Sequence, residues 1–376
     1  MSAHLKLPVT GGGKVSDLRA FLASLLTGGV AEALLVPLEL PSGGGAVQSL
    51  VRDRGRLDLL APFVPVMPVQ SARILSSLTF RDPEARIAAL VRPCETKAAV
   101  ELSKFLQVRL ERLLLITLDC PGTVEVRDWA ALSPGDRPSA AAAILDGMRR
   151  GQPAAPCGLS FREACRLCTA PAGEGDLAVS LWGTDTDAGI TLVAAEPVAA
   201  LLADRGIGSP QAVSGERHRV IDGVIAGRQA ARDAAWKRFR EEYPDMGALL
   251  DRFAACIRCR NCMEACPICY CRECVFKTTA FDHLPSQYLR WADRKGAVRM
   301  PTDTLLFHLI RMTHMASSCI NCGLCDSACP MNLPVSTLFG QMGERVRELF
   351  GYVPGRDPKE APPVATFRED ELEGKR

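Results

Sequence analysis

One cysteine spacing, C-x2-C-x2-C-x3-C-P, occurs twice in the carboxy-terminal third of this 376-residue chain. A loop with three cysteines at this spacing can wrap a compact cubane, and the fourth cysteine begins a helix that leads toward a second cluster. The proline that follows suits the first turn of a helix, where its missing N–H costs nothing. The repeat therefore predicts two [4Fe–4S] clusters. Its eight cysteines are Cys256, Cys259, Cys262, Cys266, Cys319, Cys322, Cys325 and Cys329.

The fourth cysteine of each run is expected to bind the cluster of the other run. The ligands assigned to the first cluster, cluster A, are Cys256, Cys259, Cys262 and Cys329. The ligands assigned to the second, cluster B, are Cys319, Cys322, Cys325 and Cys266. A pair of zinc sites is the alternative, although zinc sites usually combine two C-x2-C pairs, often with histidine. The long insertion between the runs favours a helical ferredoxin domain.

Eight of the sixteen cysteines lie outside these runs. Cys94 and Cys120 each follow a predicted strand, and Cys165 and Cys168 form a C-x2-C pair further along the chain. Ligand sites of open α/β sheets lie at the carboxyl edge of the strands, so these four, the amino-terminal quartet, are expected to converge there on a third cluster. A buried apolar thiol is the alternative for each of them singly.

The last four cysteines are Cys157, Cys269, Cys271 and Cys274. Their number would suffice for a fourth cluster, but no spacing argument assigns them one. The sequence leaves the role of these four cysteines open.

Alternating strands and helices fill the first 200 residues, which predicts an α/β domain around an open, largely parallel sheet. The expected boundaries are an α/β domain over 1–210, a helical linker over 211–246, a helical double ferredoxin domain over 247–353 and an extended tail over 354–376. Strands are expected at 33–38, 63–67, 86–91, 112–118, 177–182 and 189–194. Helices are expected at 16–26, 71–78, 97–106, 215–242, 304–315 and 336–350.

Charge and hydropathy exclude several classes of function. Forty-five basic residues against 43 acidic ones leave a net charge of +2, so no bulk attraction to nucleic acid is built in. No uncharged run is long enough to predict a membrane span, and the first residues lack the apolar core of a signal peptide. We therefore expect a cytoplasmic protein whose thiols stay reduced and free to bind metal.

Nucleotide-binding signatures are absent from the sequence. No G-x-G-x-x-G follows a predicted strand, so the Rossmann fingerprint for a dinucleotide is missing. The glycines of 11–13 are followed by Lys14 but lack the spacing and the Ser or Thr of a Walker loop.

Three cysteine motifs in the first half of the chain occur in a familiar order. These are Arg92-Pro93-Cys94, then Cys120-Pro121-Gly122 at the end of a strand, then Cys165 and Cys168, followed by the strand that leads to Gly183. In this order the chain resembles the beta subunits of coenzyme F420-reducing hydrogenases and dehydrogenases, over roughly residues 15–200. The double ferredoxin motif and the cysteine-rich segment 266–274 are most similar to the beta subunit of F420-type formate dehydrogenases.

The resemblance implies an amino-terminal flavoprotein domain that holds FAD, with the amino-terminal quartet as ligands of a cubane. It also implies hydride exchange with a deazaflavin. The family often has a Gly-Gly pair just before its first helix, where this chain has Val15, Ser16 and Asp17. The carrier is therefore left as coenzyme F420 or NAD, and no flavin-contacting or catalytic residue is assigned.

A flavin would connect the two kinds of electron transfer that this composition implies. Hydride carriers deliver two electrons together and iron–sulfur clusters accept one at a time, so a flavin commonly converts between them. The expected function is that of an oxidoreductase subunit that relays electrons to a formate-dehydrogenase-type catalytic subunit or a heterodisulfide-reductase-type partner. The alternatives are an electron-transfer subunit without flavin, acting as a cluster wire and docking platform, and a zinc-stabilised scaffold.

Overall fold

The computed structural model describes residues 2–173, 175–212, 215–296, 302–367 and 369. Two compact units divide the chain. The amino-terminal unit comprises Met1–Asp233 together with Gly355–Lys359, and the carboxy-terminal unit comprises Ala234–Pro354 and Glu360–Arg376.

The amino-terminal unit is built on an eight-stranded sheet of order β3-β2-β4-β5-β6-β7-β1-β8. Short apolar runs rich in leucine, valine and alanine form its central strands, which are buried along almost their whole length. The strands are β1 (Ser2–Lys6), β2 (Ala33–Glu39), β3 (Ala46–Val51), β4 (Ile87–Val91), β5 (Leu113–Leu118), β6 (Leu177–Ser180), β7 (Thr191–Ala195) and β8 (Ser209–Pro210).

The sheet is mixed, which corrects the expectation of a largely parallel one. Strands β2, β4, β5 and β6 are parallel neighbours, whereas the pairs β2–β3, β6–β7, β7–β1 and β1–β8 are antiparallel. The short connections between β2 and β3 and between β6 and β7 explain part of the difference, because a short loop can join only antiparallel neighbours. The neighbouring strands β2, β4, β5 and β6 therefore place their carboxyl ends side by side at one edge of the sheet.

The strand expected at 63–67 does not form, and this expectation was wrong. Prolines at positions 62, 65 and 68 interrupt the apolar run. Proline lacks the N–H that a sheet ladder requires, so the segment crosses the unit as irregular chain. Its carbonyl groups are still used, since Pro65 O accepts a hydrogen bond of 2.7 Å from Val124 N.

Helices cover the sheet of the amino-terminal unit. Pro93 occupies the first turn of α3, where a proline is tolerated, and the Glu95 carboxylate accepts a 2.8 Å hydrogen bond from Arg92 N. The helices of this unit are α1 (Lys14–Thr27), α2 (Ser71–Arg81), α3 (Pro93–Lys104), α4 (Val126–Ala131), α5 (Asp136–Arg149), α6 (Glu163–Arg166), α7 (Glu196–Asp204) and the first part of α8 (Gly215–Glu242).

One apolar core joins the helices to the sheet. Leu18, Leu22 and Leu25 lie at helical spacing on α1 and are fully buried against the strands. Val220 and Val224 of α8 belong to the same core, so the start of this basic helix is packed and not only solvated. Burial of each such side chain contributes about 1.5–3 kcal/mol to the folded state.

The carboxy-terminal unit is helical in its described residues. Gly340 lies on the face of α14 that meets the second cysteine run, where a Cβ would come within 3.0 Å of the Asn321 amide. Glycine at this position therefore allows the helix to approach the loop closely. The helices are the end of α8, then α9 (Met246–Phe253), α10 (Asn261–Ala265), α11 (Pro285–Lys295), α12 (Thr302–Met315), α13 (Leu324–Ser327) and α14 (Val335–Phe350).

Residues Gly355–Lys359 of the tail belong to the amino-terminal unit. Gly355 N donates a 2.9 Å hydrogen bond to the buried carboxylate of Glu101 on α3. A Cβ at Gly355 would lie 2.4 Å from the Lys97 carbonyl oxygen, so only glycine fits this approach without a backbone shift. Across the described residues, no helix has the length and apolar character needed to cross a membrane.

Candidate iron–sulfur centres

Four thiols of the carboxy-terminal unit line one pocket. They are those assigned to cluster A from the sequence, Cys256, Cys259, Cys262 and Cys329. Phe307, Leu333 and Val335 form apolar walls around them. The fourth cysteine of the second run thus lies beside the first three cysteines of the first run, an arrangement that fits a cubane with crossed ligands.

Hydrogen-bond donors surround the sulfur atoms of this pocket. Arg258 N lies 3.4 Å from Cys256 Sγ, Leu333 N lies 3.5 Å from Cys329 Sγ, and Arg311 Nη1 lies 3.1 Å from Cys262 Sγ. Such donors stabilise thiolates, which are the form that binds iron. The donor set therefore fits an anionic cluster.

Both cysteine runs have the same unusual backbone. Arg258 and Asn321, which precede the second cysteine of each run, have φ of 60° and 57°. Arg260 and Gly323, which follow it, have φ of 64° and 72°. Left-handed residues in such loops turn successive N–H groups toward one side and create an anion-binding concavity, as in many iron–sulfur sites. Three of the four residues are not glycine, and a positive φ strains the backbone of such residues. The strain therefore lies in the loops that carry the cysteines.

The thiols assigned to cluster B also lie near one another. The pKa of Cys319 is raised to about 11, by burial first and then by the neighbouring Cys266. Burial raises the pKa of Cys325 well above its usual range, and Asp326, Cys266, Cys322 and Cys319 act in the same direction. The Cys319 and Cys325 thiols are therefore protonated at neutral pH without metal, so assembly of a cluster must release their protons.

A single metal ion would require a different arrangement of ligands. Zinc needs its ligand atoms within about 2.0–2.3 Å of one point. Within the described ranges of the chain, no three histidine, cysteine, aspartate or glutamate side chains converge in that way. The cluster A thiols instead surround a pocket.

Three thiols of the amino-terminal quartet are brought together from distant parts of the chain. The pKa of Cys120 is raised to about 11; burial is the main cause, the Arg92 guanidinium opposes it, and the nearby Cys165 and Cys168 add to it. Cys94 lies in the first turn of α3, just after the carboxyl end of β4, the parallel neighbour of β5. Three thiols of the quartet thus lie together beyond β5, and Cys94 follows the neighbouring strand at the same edge of the sheet, the edge expected for a ligand site.

Cys165 differs from the other buried thiols. Burial raises its pKa, but the Arg162 guanidinium and hydrogen bonds from Thr123 outweigh burial and lower it overall. Thr123 N lies 3.3 Å and Thr123 Oγ1 3.4 Å from Cys165 Sγ. Gly122, with φ of 125°, lets this loop pass close to Cys165, because a Cβ there would lie 3.1 Å from the Cys165 Cβ.

A buried ion pair holds the loops of the quartet. Asp119, at the end of β5, accepts hydrogen bonds from Gly173 N at 2.9 Å and Leu181 N at 2.9 Å, and its carboxylate is paired with Arg217 of α8. Arg228, also on α8, donates to Pro121 O at 2.5 Å and Cys168 O at 3.4 Å. The basic face of α8 therefore serves as internal structure beside the quartet.

The four cysteines left open occur in both units. Cys157 is exposed in a loop of the amino-terminal unit with φ of 58°. The thiols of Cys271 and Cys274 lie near that of Cys269, whose pKa burial raises to about 11 and which also borders Cys266. The placement of these thiols assigns no further cluster.

A cavity of ≈ 1010 Å³ lies along α3 and β5 in the amino-terminal unit. Its lining includes four basic residues, Lys97, Arg109, Arg356 and Lys359, and two acidic ones, Glu111 and Asp176, with apolar side chains between them. Burial raises the pKa of Cys168, and Lys97 is close enough to this thiol to oppose the rise. Cofactor pockets commonly reach about 300–1,000 Å³. The volume and the excess of basic over acidic side chains fit a flavin with its phosphates.

Several residues of these sites could not be found from the sequence. Arg311 and His308 lie on α12, and His308 Nε2 is 3.4 Å from Cys256 Sγ. Burial and then Arg311 lower the pKa of His308 to about 4, so this imidazole is neutral at neutral pH. Both side chains lie beside cluster A thiols and are three positions apart on the helix. The same spacing is equally typical of an ordinary core helix.

The site geometry agrees with the comparisons with known proteins. Residues 252–333 match the family model of 4Fe-4S dicluster domains. The chain is therefore an iron–sulfur protein with an α/β amino-terminal region, and the fold and the matched domain describe an electron-transfer subunit of an oxidoreductase.

Two curated relatives identify the family. The F420-dependent formate dehydrogenase 1 subunit beta of Methanococcus maripaludis is 30% identical over 310 residues, 75% of this chain and 76% of the relative. The F420-dependent formate dehydrogenase subunit beta of Methanocaldococcus jannaschii is 27% identical over 298 residues, 73% of this chain and 75% of the relative. The chain belongs to the family of F420-dependent formate dehydrogenase beta subunits, which confirms the resemblance inferred from its motifs.

A solved hydrogenase complex also contains a chain that aligns with part of this one. A chain of the xenon-derivatised F420-reducing [NiFe] hydrogenase complex from Methanosarcina barkeri aligns with a TM-score of 0.46 and 9% sequence identity. The alignment covers 62% of this chain and 91% of that chain.

Proposed function

We propose that this chain is an iron–sulfur flavoprotein subunit that exchanges hydride with a deazaflavin carrier of the coenzyme F420 type and relays single electrons through [4Fe–4S] clusters. The gathering of the cysteines into three sets carries this proposal. Two sets belong to the dicluster domain, and three thiols of the third lie near one another in the amino-terminal unit, where Lys97 lines a cavity of cofactor size.

The cluster ligands follow from these sets. Cluster A would be bound by Cys256, Cys259, Cys262 and Cys329, and cluster B by Cys266, Cys319, Cys322 and Cys325. The third cluster would be bound by Cys94, Cys120, Cys165 and Cys168. Each cluster, when bound, accepts and releases one electron at a time.

A flavin in the ≈ 1010 Å³ cavity would supply the exchange between hydride and single electrons. Lys97 would stand between the cavity and the quartet, since it lines the cavity and acts on the Cys168 thiol. The basic side chains of Arg109, Arg356 and Lys359 would bind the phosphates of the flavin. The names of the relatives favour coenzyme F420 over NAD as the carrier.

The partner would be a catalytic subunit of the formate-dehydrogenase type. Both relatives are named as subunits of formate dehydrogenases, which implies other chains in those enzymes. A heterodisulfide-reductase-type module would accept electrons by the same cluster-to-cluster route, and mixing the holoprotein with each candidate partner distinguishes them by which one is reduced.

Anaerobic spectroscopy tests the proposal. The purified protein should contain flavin and about twelve irons per chain, by the four-iron composition of each cubane. In a stopped-flow experiment, reduced F420 should bleach the flavin rapidly and NADH should not. The reverse preference would identify NAD as the carrier and contradict the F420 assignment. A preparation that holds iron but no flavin would contradict the flavoprotein assignment and favour a flavin-free electron-transfer subunit.

A charge reversal tests the location of the flavin. Lys97→Glu should lower the flavin content at least tenfold, because it places a carboxylate in the cationic lining. Lys237→Glu is the matched control, since Lys237 is exposed on α8. Equal flavin content in the two variants would place the flavin elsewhere.

A further inference from the structure

Arg311 occupies an unusual position for a charged residue. It lies on α12 with only 3% of its surface exposed. Its Nη1 donates a 3.1 Å hydrogen bond to Cys262 Sγ, and its Nη2 donates a 3.1 Å hydrogen bond to Cys262 O. The guanidinium also lies over the rings of Phe307 and Phe339, at 5.5 and 5.3 Å from their centroids. Its orientation is therefore held by four contacts.

Among the residues that the structure describes, no carboxylate neutralises the charge of Arg311, and its buried Nε has no hydrogen-bond partner. A buried cation is costly unless it is paired. The compensating negative charge must come from the thiolates and from the clusters they would hold.

Thiols of both cluster sets lie near this one cation, since Cys262 accepts its hydrogen bond and Cys325 packs against the apolar cluster that contains Cys262 and Phe307. Burial lowers the pKa of Arg311, but Cys262, Cys266, Cys325 and Cys269 outweigh burial and raise it, so the side chain stays charged. Cys262 belongs to the cluster A set, whereas Cys266 and Cys325 belong to the cluster B set. A single guanidinium thus interacts with both sets.

We propose that Arg311 is a positioning residue shared by the two clusters, whose fixed charge raises the reduction potentials of both. The inference rests on the proposed function only in that both clusters are present. Reduction of either cluster adds one electron from the reductant and one negative charge, with no bond broken and no proton transferred. Arg311 stabilises this added charge electrostatically, because it is buried where water screens little.

The contacts predict different effects at the two clusters. Cluster A receives both the charge and a direct hydrogen bond to Cys262 Sγ. Cluster B receives the charge without a hydrogen bond, because Cys325 of its set packs against the apolar cluster that contains Cys262 and Phe307, beside the Arg311 guanidinium. Hydrogen bonds to ligand sulfur and nearby charge each tune the potential of a cluster, so the two contributions can be separated by substitution.

The test is an EPR-monitored potentiometric titration of the full-length anaerobic holoprotein. Arg311→Met removes the charge and keeps the length of the side chain. It should lower the equilibrium constant for reduction of both clusters at least tenfold, which is about 59 mV for a one-electron couple. Arg311→Lys keeps the charge and loses the planar pair of donors. It should lower the constant of cluster A at least threefold and leave that of cluster B within twofold of the wild type.

Arg240→Met is the matched control, because Arg240 is exposed and its guanidinium donates to Gln341. It removes the same charge from the same unit and should leave both midpoints unchanged. Midpoints in Arg311→Met that equal those of the control, at unchanged iron content, would overturn the inference. If Arg311→Met fails to load iron, Arg311→Lys decides alone, and a shift at both clusters or at neither contradicts the inference. Absence of two cubanes from the wild-type protein would instead contradict the proposed function.

Discussion

The two units gather cysteine ligands in different ways. In the carboxy-terminal unit, three ligands of each cluster set come from one loop of seven residues, and only the fourth comes from the other run. In the amino-terminal unit, Cys94, Cys120 and Cys165 are separated by 26 and 45 positions; Cys94 and Cys120 follow the parallel neighbours β4 and β5, and Cys165 packs near Cys120 from a later loop. Ligands from one loop are set by local chain geometry, whereas the quartet depends on the packing of a whole sheet.

The electrostatic environments differ as well. The pKa of Cys325 is raised by burial and by the adjacent Asp326. Burial also raises the pKa of Cys165, but Arg162 and Thr123 reverse its effect. In the amino-terminal unit a preformed donor set thus favours one thiolate before metal binds. In the carboxy-terminal unit thiolates depend more on the metal itself and on Arg311.

Loss of a single cysteine ligand should have the largest effect, the removal of a whole cluster. It should also show whether the fourth cysteine of a run binds the cluster of the other run or that of its own. Cys266→Ser is expected to remove cluster B, because Cys266 lies with Cys319 and Cys325, and to leave cluster A in place. The iron content should fall by about four per chain. The EPR spectrum of the reduced protein should match that of Cys322→Ser.

Cys259→Ser is the control for this comparison, since Cys259 lines the cluster A pocket. A Cys266→Ser spectrum that matched Cys259→Ser would show that each run binds its own cluster. The crossed assignment would then be wrong.

The second-largest effect is expected on the folding stability of the amino-terminal unit, because the quartet depends on long-range packing. Asp119→Ala should destabilise the amino-terminal unit by about 3–5 kcal/mol, because it leaves the Arg217 charge buried without its partner. Urea unfolding followed by tryptophan fluorescence measures the change, because Trp129 and Trp182 are buried in this unit. The cluster A and B signals should persist in the native protein.

Glu216→Ala provides the control on the same helix, because Glu216 pairs with Arg219 at the surface. It should leave the urea midpoint unchanged, since exposed ion pairs contribute little. Equal midpoints for Asp119→Ala and Glu216→Ala would show that the buried pair does not hold the loops of the quartet.

The smallest expected effect concerns the Cys165 thiol in metal-free protein. Thr123 Oγ1 accepts a 2.7 Å hydrogen bond from Arg162 Nε, so its own proton is available to Cys165 Sγ. Thr123→Val removes this donor and should raise the pKa of Cys165. The rate of iodoacetamide alkylation at Cys165, followed by mass spectrometry, should therefore reach half its maximum at a higher pH.

Thr313→Val is the control for alkylation, because the Thr313 hydroxyl bonds only within its own helix, to Leu309 O. Its pH profile at Cys165 should coincide with that of the wild type. An unshifted profile in Thr123→Val would assign the lowered pKa to Arg162 and to the Thr123 backbone N–H, and not to the hydroxyl.

Local patterns in the sequence predicted much of the molecule. The helix expected at 215–242 forms over Gly215–Glu242, and the strands expected at 33–38, 86–91 and 112–118 are present with shifted ends. The spacing of the cysteine runs predicted a dicluster domain, which the match over residues 252–333 confirms. These features depend on residues close together in the chain, so hydrophobic periodicity and ligand spacing are sufficient to indicate them.

The direction of the outer strands was decided by tertiary structure. β1 and β3 were not expected, and β1 joins the sheet by pairing with β7, almost two hundred residues away. The prolines near 63–67 overrode an apolar run that otherwise resembled a strand. Pairing partners distant in sequence leave no periodic signal within either segment.

The chemical environment of the cysteines was also decided by tertiary structure. The sequence by itself indicated which cysteines are expected to bind iron. Through the C-P that closes each run, it also predicted that the fourth cysteine of one run binds the cluster of the other. It did not determine that Arg311 donates to Cys262, that Asp119 and Arg217 form a buried pair, or that Thr123 donates to Cys165. Charge and hydrogen bonding act through space over a few ångströms, and only folding brings those groups to that distance.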